Sequence, residues 1–196
     1  MYRTGYLSIY VLFFLACQGT NKETAVIQGY QDIDLKIATK EAPLIAVSTE
    51  EYPEYGADIA YINVKGDTLI PFGQYAYFGT DTIWHYANVI PKSAEGELGL
   101  PVGVDINGSV LFDIFLFDNG PDYFSEGLTR VKRSGKMGFA NEKGEVVIPC
   151  IYDFAWPFEN GYAKVTYEAE EVLDGDHVEI QSDSWFRVDK NGVKTN

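Results

Sequence analysis

With 196 residues, 46% of them hydrophobic, the chain can form one folded domain with a real core, which excludes wholesale disorder. Its formal net charge of −14 repels phosphate backbones and anionic headgroups, so nucleic acid is excluded as a partner. The 14 Tyr and 12 Phe favour half-buried pleated surfaces and point to β-structure.

Arg3 precedes a short apolar run from Leu7 to Ala16. That run is too short to span a hydrocarbon core, which needs roughly 20 helical residues, and it suits the apolar region of a signal peptide. Phe14-Leu15-Ala16-Cys17, followed by polar Gln18-Gly19-Thr20-Asn21-Lys22, resembles the lipobox of bacterial lipoproteins, with Phe14 in place of the usual Leu. The resemblance implies a signal peptide over residues 1–16, cleavage before Cys17, and multiple acylation of that cysteine, palmitate included. The alternative is an ordinary secretory signal with a chance cysteine at its end. Gln18 in place of Asp argues by analogy against inner-membrane retention, so the expected location is the outer membrane, facing the periplasm or the surface. Residues 17–28 read as the lipidated cysteine and a polar tether, and 29–196 as the folded domain.

A repeat runs through that domain. Ile59-Ala60-Tyr61-Ile62-Asn63-Val64-Lys65-Gly66, Met137-Gly138-Phe139-Ala140-Asn141-Glu142-Lys143-Gly144 and Trp185-Phe186-Arg187-Val188-Asp189-Lys190-Asn191-Gly192 align on a glycine, with a weaker copy ending at Gly108. Each glycine sits where a hairpin requires positive φ. Strands ending at Pro71 and Pro149 follow two of them, and a proline there must end the pairing or lie on an edge. Phe124-Ser125-Glu126-Gly127-Leu128 and Phe158-Glu159-Asn160-Gly161-Tyr162 then open a further strand. The order reads as strand, Gly turn, strand, aromatic loop, strand. No stretch after Cys17 keeps a helical apolar period, so the fold is expected to be all-β.

Residues 124–149, continued by Tyr152-Asp153-Phe154-Ala155-Trp156-Pro157-Phe158, resemble the WG β-repeat family. The match is clear over about residues 123–168 and degenerate over 44–122 and 185–194, and Met137 replaces the Trp that names the repeat. The resemblance implies tandem antiparallel three-stranded units in a curved open array, often exported or envelope-attached, with no enzymatic activity to transfer. A closed, propeller-like ring completed from both termini is the alternative, since Gly29-Tyr30-Gln31-Asp32 and Leu44-Ile45-Ala46-Val47 resemble the later strands of a unit.

Chemistry-bearing motifs are scarce. His85 and His177 stand apart from any metal-ligand spacing, and no nucleophile elbow, P-loop or dinucleotide fingerprint occurs, so no metal, cofactor or catalytic residue is assigned. Asp174-Gly175-Asp176 and Asp189-Lys190-Asn191-Gly192 faintly suggest calcium ligands, but they lack the loop spacing, and the second is a repeat turn. Cys150 reads as a small buried hydrophobe. Asp113, Asp118, Asp122, Glu126 and Asp153 lie beside aromatic loops, and Asp153 reads as a loop hydrogen-bonding residue. Tyr152, Phe154, Trp156 and Phe158 are repeat positions that tend towards the core, while Trp84 and Tyr123 fall on poorly matching segments. Trp84, Tyr123 and Trp156 are the ligand-binding candidates. The acidic segment 168–176 reads as a solvated hairpin extension.

The expected function is a membrane-anchored lipoprotein with a non-enzymatic binding or scaffold domain in the cell envelope, its partner a protein, peptide or glycan. The alternatives are an envelope glycan or peptide hydrolase using an Asp/Glu pair, and a passive structural lipoprotein.

Overall fold

The computed structural model describes residues 25–26, 42–117, 120–174 and 177–195; the signal segment, Cys17, Gly29–Asp32, Asp118 and residues 175–176 lie outside them. Every regular element among the described residues is a strand. In chain order these are β1 (Ala25–Val26), β2 (Leu44–Ser48), β3 (Ile59–Ile62), β4 (Thr68–Ile70), β5 (Tyr75–Tyr77), β6 (Thr82–Ile83) and β7 (Tyr86–Pro91). Then come β8 (Val102–Asp105), β9 (Val110–Ile114), β10 (Leu116–Phe117), β11 (Gly120–Pro121), β12 (Leu128–Arg133), β13 (Lys136–Asn141) and β14 (Val146–Tyr152). The last are β15 (Phe154–Ala155), β16 (Tyr162–Thr166), β17 (Glu170–Asp174), β18 (His177–Gln181), β19 (Phe186–Asp189) and β20 (Lys194–Thr195).

Pairing groups them into four antiparallel meanders, β2-β3-β4, β7-β8-β9, β12-β13-β14 and β16-β19-β20. The strand after each aromatic loop, last in the sequence order of a unit, thus pairs as the first strand of the next. The second and third meanders are joined through β9 and β12 into one seven-stranded sheet, β14-β13-β12-β9-β8-β7-β5. Among the described residues no sheet closes into a barrel, and β2 pairs with β1, β3 and β6 rather than with β19, so the array they form is open. Ala25–Val26, expected within the tether, adds to the edge of β2 that β6 covers only in part. The acidic segment does form a hairpin: β17 and β18 make a separate two-stranded ribbon between the first and second strands of the fourth meander.

One turn recurs four times between the second and third strands. Asn63, Asp105, Asn141 and Asp189 each accept two backbone N–H groups through one side-chain oxygen, from the residues two and four places on, at 2.8–3.0 Å. The glycine three places on donates to the backbone carbonyl of that same residue at 2.9–3.0 Å, with φ of 89°, 75°, 77° and 74°. Only Asn or Asp has a short oxygen at that reach, and positive φ favours Gly at the close of the turn. Hydrogen bonding from Val193 N–H, then from Asn191, holds the Asp189 carboxyl below the usual aspartate range.

A three-stranded meander cannot bury enough surface alone, and here the cores lie where units meet. Leu44, Ile59, Tyr61 and Ile70 pack with Val89, Val102 and Val104, joining the first unit to the second. Met137, Phe139 and Ile148 pack with Phe158, Ala163, Val165 and Val188, joining the third to the fourth. A smaller cluster of Phe112, Val131 and Ala140 joins the second to the third. Turns seat on the preceding unit: a Cβ on Gly108 would come within 3.5 Å of Ile70, and one on Gly192 within 3.3 Å of Ile148. Pro71 ends β4, whereas Pro149 falls within β14 where the register slips against β13, on the edge of its sheet, so no ladder donor is lost. Beside that slip, Gly138 lies so close that a Cβ would stand 2.5 Å from the Ile148 carbonyl oxygen.

The turn chemistry predicts that Asp105→Ala lowers unfolding free energy by about 1 kcal/mol, while Asp105→Asn changes it by less than about 0.5 kcal/mol because Asn63 and Asn141 already fill the same slot. Urea denaturation of the two variants checks this, and equal losses from both would remove the side-chain oxygen from the explanation.

Candidate functional site

A cleft of about 830 Å³ opens where the loop before β12 meets the loop before β16. One wall carries Tyr123 and Ser125; the other carries Trp156, Pro157, Phe158, Glu159 and Asn160. Its floor is the face of the fourth meander presented by Tyr162 and Lys164 on β16 and by Arg187 on β19. Two of the aromatic candidates therefore meet in one place. Tyr123 is 54% exposed and Trp156 40%, so their rings are available to a ligand. Both are held from behind, Tyr123 edge-on to Phe117 and Trp156 edge-on to Phe154, with ring centroids 6.1 and 5.2 Å apart. Trp84 is exposed on the connection between β6 and β7 and does not line the cleft.

The two walls are stapled together. Ser125 Oγ donates to the Phe158 carbonyl at 2.6 Å, and the Glu126 carboxylate accepts from Gly161 N–H at 3.1 Å. Lys190, from the fourth Asx turn, donates to both the backbone carbonyl and the carboxylate of Glu126 at 3.0 Å. The Lys190 ammonium first, and the Gly161 N–H next, hold the Glu126 carboxyl below the usual glutamate range.

Behind Tyr123 lies a buried ion pair. Arg130 donates through Nε to Asp122 Oδ2 and through Nη2 to Oδ1, both at 2.7 Å, with each side chain 1% exposed. Its Nη1 reaches the Ala155 carbonyl at 3.3 Å, and its guanidinium carbon lies 4.6 Å from the centre of the Phe115 ring. A bidentate pair in which each guanidinium nitrogen has a hydrogen-bond partner is the geometry in which a buried charge is tolerated. Asp122 is thereby committed to structure.

The other titratable candidates lie elsewhere. Asp153 pairs with Lys136 on the neighbouring strand, and Asp113 is exposed on β9. Cys150 is half-buried on β14, and desolvation pushes its thiol up, away from the reactive thiolate. His85 is exposed on the β6–β7 connection, and no cluster of three metal-ligating side chains occurs among the described residues. Of the aromatic repeat positions, Tyr152 and Phe158 are buried in the core, Phe154 is half-buried, and Trp156 is turned out to the cleft.

Lys164 and Arg187 went unnoticed in the sequence, although a signal was present. Cross-strand pairing puts Ala46 opposite Tyr61, Asn88 opposite Gly103, Arg130 opposite Phe139, and Lys164 opposite Arg187. Only the fourth unit sets two cations face to face at this repeat position.

Residues 137–168 match the family model of the WG containing repeat. The chain carries a WG β-repeat. The matched segment runs from β13 through the Trp156 wall of the cleft to the end of β16, and the four turns extend the same plan across the described domain. No curated protein and no solved structure matches the chain. A WG-type array of this kind is a β-repeat module suited to binding or scaffolding.

Asp122→Ala leaves a buried guanidinium unpaired and is expected to cost about 3–5 kcal/mol. Asp122→Leu combined with Arg130→Met should cost far less, and chemical denaturation distinguishes the two. A carboxyl held low in the folded state adds stability that is present above its unfolded pKa and is lost as pH falls through the folded value. The Glu126 staple should therefore hold down to the pH at which an ordinary glutamate titrates and release only below it. An NMR titration should show the Gly161 amide moving in that window, and the step should vanish in Glu126→Gln.

Proposed function

We propose that this protein is an envelope lipoprotein, held on the outer membrane by lipid on Cys17, whose WG-type β-repeat domain binds a ligand in the cleft between its third and fourth units. The observation that carries the reading is the cleft itself, about 830 Å³ with the exposed rings of Tyr123 and Trp156 on opposing walls. Rings fixed from behind and open in front give contact area at low entropic cost, as binding surfaces require. The signal segment and Cys17 supply the anchor: one acyl chain binds a membrane only marginally, and a multiply acylated cysteine binds it stably.

A hydrolase acting through paired acids needs two carboxyls roughly 5–9 Å apart. Glu159 is the one carboxylate among the residues that line the cleft, which favours binding over hydrolysis. Asp122 is bound to Arg130 and Glu126 to Lys190, so neither is free to serve as its partner.

Cross-linked capture from intact cells tests the domain's role. A dominant envelope partner should be recovered with the unaltered protein and lost with Tyr123→Ala/Trp156→Ala, since such aromatic anchors contribute about 2 kcal/mol or more each. A partner retained by that double variant would move the binding surface away from the cleft. Cys17→Ser should transfer the protein from the membrane fraction to the soluble one; persistence on membranes after a high-salt wash would overturn the anchor.

A further inference from the structure

The floor of the cleft holds an electrostatic arrangement that its sister units avoid. Lys164 and Arg187 lie directly opposite one another on antiparallel neighbours, on the face that lines the cleft. Like charges in that relation are destabilising. Among the described residues neither side chain makes a salt bridge, and the neighbour found for Lys164 is the Trp185 ring, whose centre lies 4.6 Å from its Nζ. Both cations are exposed in a protein of net charge −14, where acidic partners are plentiful.

The third unit shows what such a cation takes when it is satisfied. Arg130 holds the position in β12 that Lys164 holds in β16, counted from the turns at Gly127 and Gly161. The residue eight places before Arg130 is Asp122, whose carboxylate it grips with aromatic rings alongside. The residue eight places before Lys164 is Trp156. The fourth unit thus keeps the cation, adds a second one, surrounds them with rings, and omits the internal acid.

Resting on the reading of this cleft as a binding site, we infer that its ligand is an acidic sugar, with a carboxylate taken by Lys164 and Arg187 and a pyranose face lying on Trp156. A carboxylate between two cations forms charge-assisted hydrogen bonds and relieves their repulsion. A pyranose ring has an apolar face and polar edges, which suits exposed rings beside polar groups. An extended peptide would ordinarily join a free strand edge, but β16 is already paired on both sides, by β15 and β19. The chain's overall negative charge acts at long range and is screened beyond about 10 Å in 0.1 M salt, so the local charges decide recognition, and among the lining residues the two cations outnumber the single carboxylate, Glu159.

Calorimetric titration of the full-length protein in detergent, with an oligogalacturonate, its methyl ester and a poly-glutamate peptide, tests the inference. The oligogalacturonate should bind about tenfold or more tighter than its ester. Lys164→Gln/Arg187→Gln should erase that preference with the melting temperature unchanged or raised, because the repulsion is gone, and Trp156→Ala should weaken acid and ester alike. Equal binding of acid and ester would overturn the carboxylate assignment and leave the binding cleft standing. Tighter binding of poly-glutamate would overturn the sugar, and no binding of any probe would overturn the inference altogether. Capture from intact cells, with its own cleft variants, decides the broader reading independently.

Discussion

The array depends on a side-chain oxygen that substitutes for a missing turn of backbone. At Asn63, Asp105, Asn141 and Asp189 this oxygen gathers two N–H groups that the tight reversal would otherwise leave unpaired. The register of the third strand on the second follows from it. The glycine that closes the turn then offers a flat surface, and in two units that surface rests on the isoleucine before a proline one unit earlier. Local hydrogen bonding and the packing between units are thus set by the same few residues.

With the scaffold held this way, other positions are free to diverge. The cross-strand slot occupied by Ala46 and Tyr61 in the first unit is buried hydrophobic core. In the third unit it holds Arg130 against Phe139, and burial of the guanidinium is tolerated because Asp122 and the Ala155 carbonyl satisfy it. In the fourth the same slot is open and carries two cations. One geometric position therefore passes from packing, to a buried ion pair, to an exposed pair of cations on the floor of the cleft.

How much of this was legible depended on whether the signal was local. The turn glycines, the prolines and the aromatic loops recur at matching places, and each answers to a conformational requirement of the backbone beside it, so the all-β repeat could be read directly. Tyr123 and Trp156 stood out as aromatic residues in or near those loops. That they face one another across a cleft while Trp84 does not line it depends on which loops pack together. Asp122 looked like any other carboxylate near aromatic residues until its pairing with Arg130 showed it to be structural. Lys164 and Arg187 are 23 residues apart, with the β17–β18 ribbon between them, so nothing in their immediate neighbours marks them as a pair.

By itself the amino-acid sequence determined the all-β class, the repeat with its glycine turns, the acidic balance and the lipobox-like segment around Cys17, because these follow from backbone conformational preference, composition and spacing over a few residues. Only the tertiary structure decided that the chain remains an open array, that the cores lie between units, and that two cations and two aromatic walls converge on one cleft. Those outcomes depend on strand pairing across long separations and on which faces are covered, and burial and charge environment belong to the packed chain rather than to any segment of it.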